Sequence, residues 1–171
     1  MGGQLSFEQI EAKLRKKSFG ILGTVSPSGK SQSTGVAYAL SPPDSTFALY
    51  VITECRMVKV KNIRTNPSVS FVVPFPHHFL RFVPANVVQF QGTAETLPFS
   101  HEEGVRAFGS SRVLRMTLEQ APHIAESEVV FIRILPKDHL NVYGLGFGIL
   151  QMTKDLAVCV YDVSIPSKRR V

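Results

Sequence analysis

The chain has 171 residues, of which 44% are hydrophobic and 19% charged, with a formal net charge of +6. That length suits a single domain spanning 1–171 and would cramp two independent ones. The composition is that of an ordinary globular protein, and no apolar run nears the ~20 residues of a membrane span, so no membrane partner is expected and the default address is cytoplasmic.

The positive charge is spread, gathering only at Arg15-Lys16-Lys17, between Arg56 and Arg64, and at Lys168-Arg169-Arg170. Without interleaved aromatics these clusters do not read as a nucleic-acid surface. A basic surface that draws in a phosphorylated small molecule accounts for them equally well. The two cysteines, Cys55 and Cys159, have neither metal-site spacing nor the density of a disulfide framework, and no metal site is expected. Cys55 neighbours positive charge, which favours thiolate, but no histidine stands near it in sequence to act as a base.

In chain order, residues 6–17 read as an amphipathic helix: Ser6 and Gln9 form a capping box, and Phe7, Ile10 and Leu14 share one face. From Phe19 the pattern changes to strands. Phe19 to Val25 and Ser31 to Leu40 flank the turn Ser26-Pro-Ser-Gly29, and a third strand over 46–52 completes a meander. The second strand carries Ser33-Thr34-Gly35-Val36, small residues against which a flat ring can lie. A glycine inside a strand marks either close approach or a bulge.

Thr53 to Pro67 is the stretch around which the chain is organised. A strand feeds a short basic helix, and backbone N–H groups in a first helical turn lack intrahelical partners and favour an anion. Thr53 adds a hydroxyl, while Arg56 and Lys59, three residues apart, add charge on one face. A solvated basic face is the alternative. After the strand from Ser68 to Val73, Pro74 to Pro84 reads as an apolar loop over a pocket or subunit contact. Its adjacent His77 and His78 suit a rim or surface position better than a shared metal or haem site.

Asn86 to Leu97 is the longest alternating segment, with Val87, Gln89 and Gln91 on one face and Val88, Phe90 and Gly92 on the other. Ser100 and Glu103 predict a second capping box, Val105 and Phe108 an apolar side, and a further helix spans 112–120. Ser127 to Leu135 is a buried strand, the glycines over 144–148 a turn, and Met152 to Val163 a last strand. Ile165 to Val171 reads as a mobile tail.

The ordered elements Thr53, Lys59, Lys61-Asn62-Ile63, Asn66-Pro67, Val69-Ser70-Phe71 and Gly92-Thr93-Ala94-Glu95 resemble the flavin-binding split-barrel family typified by pyridoxamine 5'-phosphate oxidase. The resemblance covers about residues 18–97. It implies a mainly β (α+β) fold, an antiparallel six-stranded split β-barrel with a few flanking helices. It also implies a homodimer with flavin mononucleotide (FMN) at the interface, acting on a small-molecule substrate. Deazaflavin or haem are the alternative cofactors. The implied contacts are Thr34, Gly35, Val36, Thr53, Arg56, Lys59, Lys61 and Gln91. Where the oxidase has Ser-Arg-Lys on the flavin phosphate, this chain has Met57-Val58-Lys59, so Arg56 is the compensating candidate. No nucleophile elbow, phosphate loop, zincin helix or Cys-x-x-Cys occurs, so hard chemistry falls to a cofactor.

Overall fold

The structure is a computed structural model that describes residues 2–77, 85–120, 128–154 and 157–170. His78, Pro84, Pro122, Ser127 and Val171 therefore lie outside the described residues.

Helix α1 (Phe7–Leu14) starts on the expected capping box, with the Ser6 hydroxyl accepting from the Gln9 N–H and the Gln9 amide accepting from the Ser6 N–H. Strands β1 (Phe19–Val25) and β2 (Ser31–Ala37) form a hairpin whose turn needs Gly29 at φ +79°. Then follow β3 (Ala39–Leu40), β4 (Leu49–Glu54), α2 (Val58–Thr65), β5 (Ser68–Phe75) and β6 (Asn86–Pro98). Helices α3 (Glu102–Gly109) and α4 (Arg112–Gln120) precede β7 (Val129–Pro136), β8 (His139–Tyr143), α5 (Ile149–Lys154) and β9 (Val160–Ser164).

All pairings are antiparallel, in the order β2-β1-β5-β6-β7-β4-β3. The two ends of that order, β2 and β3, are one stretch of chain separated only by Tyr38. The sheet therefore curls round into the expected split barrel, with β8 and β9 added beside β6. The third strand of the expected meander, β4, pairs with β3, the end of the expected second strand, and on its other side with β7.

The period-two pattern of β6 sends Val88, Phe90 and Ala94 inward, where Phe90 stacks on Phe71 at 5.7 Å between ring centroids. Gly20 leaves room for the Phe71 ring, and a side chain there would collide with it. α1 closes one side of this core through Ile10 and Leu14, and α2 another through Val60 and Ile63. A second cluster, Tyr50, Phe108, Leu114 and Phe131, lies beneath α3 and α4.

Four expectations are corrected. Pro74 and Phe75 continue β5 against Val87 and Asn86. The ladder with β1 ends at Val72, so Pro74's missing N–H is not required on that side. The cap of α3 is His101, whose Nδ1 accepts from the Gly104 N–H at 3.3 Å, while Glu103 turns to the Tyr50 hydroxyl and Val105 is exposed. Met152 to Val163 holds the end of α5 and a 3-10 turn before β9 begins. The tail is pinned: the Ile165 N–H donates to the Asp138 carbonyl, and Arg169 is buried against Glu11 at 3.1 Å.

Candidate functional site

The site forms where β4 ends and α2 begins. Met57 occupies the N-cap position of α2 with no side-chain cap, so the first backbone N–H groups of the helix are left for solvent or ligand. Beside them the Lys59 ammonium donates to the Thr53 hydroxyl at 3.3 Å. Lys59 is half-buried, and burial draws its ammonium below the ordinary lysine value, with the Glu54 carboxylate acting the other way. It forms no salt bridge among the described residues.

What holds α2 in place is Asn62, a buried amide on the same side as Val60 and Ile63. Its nitrogen donates to the Thr24 hydroxyl at 2.9 Å and to the Gln32 amide oxygen at 2.8 Å, tying the helix to β1 and β2. The helix ends at Asn66, whose side-chain oxygen accepts from the Ser68 N–H and turns the chain into β5.

The eight residues expected at a cofactor separate into groups. Thr53 and Lys59 come together. Thr34 and Gly35 are exposed on β2, whereas the Val36 side chain is buried. The close approach expected at Gly35 is made by the chain's own Phe19, whose ring lies 2.9 Å from where a Cβ would stand. Arg56 is turned to Glu54, 2.5 Å away, and is exposed, so it adds little free charge to the helix start. Lys61 is exposed two positions beyond Lys59, on another side of the helix. Gln91 is exposed on β6 and helps to line a shallow hollow of about 370 Å³ that also takes in Gln32, Ser33, Ser70 and Lys137.

That hollow runs on into one of about 570 Å³ over the outer face of β5, β6 and β8. There Gln89 donates to Asn141 at 3.1 Å and Asn141 to Asp162 at 3.0 Å, two amides and a carboxylate in a row across three strands. Sequence reasoning missed Asn62, Gln32 and Lys137. Asn62 alone left a local signal, a polar residue inside the apolar spacing of a short helix.

The pyridoxamine 5'-phosphate oxidase family profile matches residues 6–135, well over half of the chain. The protein belongs to that family. No curated protein matched the chain. Among solved structures, HutZ, the haem storage protein of Vibrio cholerae, aligns with a TM-score of 0.64 at 16% identity, covering 83% of this chain and 98% of its own. The conserved protein Rv2991 of Mycobacterium tuberculosis aligns at 0.59 and 23% identity, covering 80% and 83%. An F420 reductase aligns at 0.53 and 21% identity, covering 74% and 92%. At these identities the likeness is one of fold. This member of the oxidase family has the split barrel, with Met57 and Val58, the two residues before Lys59, both exposed. The donor set, an ammonium, a hydroxyl and an uncapped helix start, fits a phosphate group.

Proposed function

We propose that the protein is an FMN-binding oxidoreductase that works as a homodimer, transferring hydride or electrons to or from a small molecule. The observation that carries this is the pairing of Lys59 with Thr53 at the uncapped start of α2, in a chain of this family. Lys59 and Thr53 hold the flavin phosphate, Thr34 to Val36 of β2 offer backbone to the ring, and Gln91 meets the ring's polar edge across the dimer interface. When bound, FMN supplies hydride and electron transfer. The protein's own residues bind it, orient it and exclude water. A deazaflavin cofactor fits the same phosphate contacts, and an F420 reductase shares the fold.

A second reading is a carrier of flavin or haem without turnover. It is favoured by Met57 and Val58, apolar and exposed where polar contacts would tighten the grip. An absorbance scan of freshly purified protein, followed by titration with FMN, tests both. A two-banded flavin spectrum with steady-state oxidation of reduced nicotinamide supports the enzyme, a flavin spectrum or Soret band without turnover supports the carrier, and a colourless protein that binds no FMN overturns the proposal. Replacing Lys59→Ala removes a charge-assisted contact of about 1.5–3 kcal/mol and is expected to weaken FMN binding roughly tenfold or more; unchanged affinity removes Lys59 from the site.

A further inference from the structure

A groove of about 510 Å³ opens between the end of α1 and the start of α4, a volume in the range of small-molecule pockets. It lies toward the opposite end of β4 from Thr53: Leu40 of the groove pairs with Leu49, the first residue of that strand.

One wall carries Arg15, Lys16 and Lys17. Arg15 is already engaged, by the Glu11 carboxylate at 2.5 Å and the Ser41 carbonyl at 2.7 Å. Lys16 and Lys17 have no carboxylate partner among the described residues, and Lys17 rests over the Phe75 ring at 5.4 Å. Cations at a helix C-terminus are commonly explained by the carbonyls there. Here the last two carbonyls of the helix already accept: that of Lys13 from the Lys16 N–H, and that of Leu14 from both the Lys17 N–H and the Tyr38 hydroxyl. Two ammonium charges are left over beside a concave surface, where low-dielectric walls concentrate their field.

The facing wall holds Ser111 and Val113 at the start of α4. The Ser111 carbonyl accepts the Arg115 N–H, so the N–H groups of the intervening first turn have no acceptor within the helix and add to the positive potential. Between the walls the floor is apolar, with Leu40 and Leu114 both buried.

We propose that this groove binds a small amphipathic anion, its phosphate or carboxylate head beside Lys16 and Lys17 and its apolar body on Leu40 and Leu114. Charge complementarity selects the head, and the floor selects the body. The site is separate from the proposed flavin site and does not depend on it.

The test is calorimetric titration of the full chain with n-octyl phosphate and with inorganic phosphate, alongside amide chemical-shift mapping. Saturable binding of octyl phosphate is expected, roughly tenfold tighter than inorganic phosphate, with shifts centred on Lys16 to Ser18, Ala39, Leu40 and Ser111 to Leu114. The double variant Lys16→Gln/Lys17→Gln is expected to lose roughly tenfold in affinity, while Lys30→Gln/Lys154→Gln, which removes the same charge from exposed positions elsewhere, leaves it unchanged. Equal loss in the two double variants, equal binding of inorganic phosphate, shifts centred on Lys59, or no saturable binding up to about 10 mM each overturn the proposal. An octanoate titration then separates a carboxylate source from a phosphate one.

Discussion

Met57 stands where a helix start usually places a serine, threonine, aspartate or asparagine. Its backbone is already extended, at φ −64° and ψ 147°, as an N-cap requires, but a thioether cannot accept from the N–H groups ahead. The variant Met57→Ser is therefore expected to stabilise the folded protein by about 1 kcal/mol, read as a rise in the urea midpoint at unchanged slope. The same hydroxyl would stand beside a phosphate held by Lys59, so FMN affinity should rise with it. A variant of unchanged stability would mean that the α2 start is already satisfied in the free protein, and would take away the anion-ready terminus on which the flavin proposal leans. Asn62 bears on this too, because its bonds to Thr24 and Gln32 hold the helix that carries that terminus against β1 and β2.

Among the elements, α3 and the tail are fastened by polar contacts that shape stability more than chemistry. Glu103 on α3 accepts from the buried Tyr50 hydroxyl. Burial alone would raise its carboxyl, but the Ser45 and Tyr50 hydroxyls and the Arg133 guanidinium outweigh burial and hold it below the usual glutamate range. A carboxyl depressed by folding adds stability above its unfolded value of about 4.3, and that stability is lost as the pH falls through the folded value. Glu103→Gln is expected to flatten the dependence of stability on pH below about 5; an unaltered acid limb would show that this contact carries no net stability. The tail is held through Arg169, whose guanidinium reaches Glu11 at 3.1 Å and the Pro43 carbonyl at 2.5 Å, both sides of the ion pair being buried. Arg169→Ala leaves Glu11 with Arg15 alone and is expected to cost about 3 kcal/mol in chemical denaturation; a cost within about 0.5 kcal/mol would mean that Arg15 suffices.

These elements also mark where sequence ceases to be informative. The alternation of β6, the capping box of α1 and the bounds of α4 follow from neighbours two to four residues apart, and the structure has them where local pattern puts them. Lys59 and Thr53, six residues apart, were legible for the same reason. Arg169 looked like part of a basic tail because its partner is 158 residues away. Asn62 finds its two acceptors 38 and 30 residues upstream, across a barrel that local pattern does not close. His101 displaced the expected Ser100 cap because Glu103, the other half of the expected box, is drawn to Tyr50.

At the scale of the whole molecule, the outer face of the barrel is the feature that a monomer leaves unexplained. In register across the sheet lie Ile21, Val72, Gln89 and Asn141, and beside them Gly23, Ser70 and Gln91. Phe19 and Ile21 are 54% and 37% exposed at one end of this face, and the linked amides of Gln89 and Asn141 stand at the other. No helix among the described residues covers the hollow there, and none is long and apolar enough to cross a membrane. An apolar margin on a polar, hydrogen-bonded floor is what a self-complementary interface requires, since two copies related by a two-fold axis set each margin against the other's floor. The proposed homodimer places its interface here, next to Gln91 and β2. Sedimentation is then expected to give twice the 18.9 kDa chain mass, and Ile21→Asp to give a folded monomer, because the new carboxylate would be buried unpaired at the margin. With the partner gone, the contact from Gln91 across the interface goes too, so the monomer should hold FMN more weakly than the dimer while Lys59 and Thr53 are untouched. A wild-type monomer at about 100 μM would refute the dimer. A monomeric Ile21→Asp variant that still holds FMN would separate the two ideas and leave the cofactor on a single barrel, gripped by the start of α2 alone.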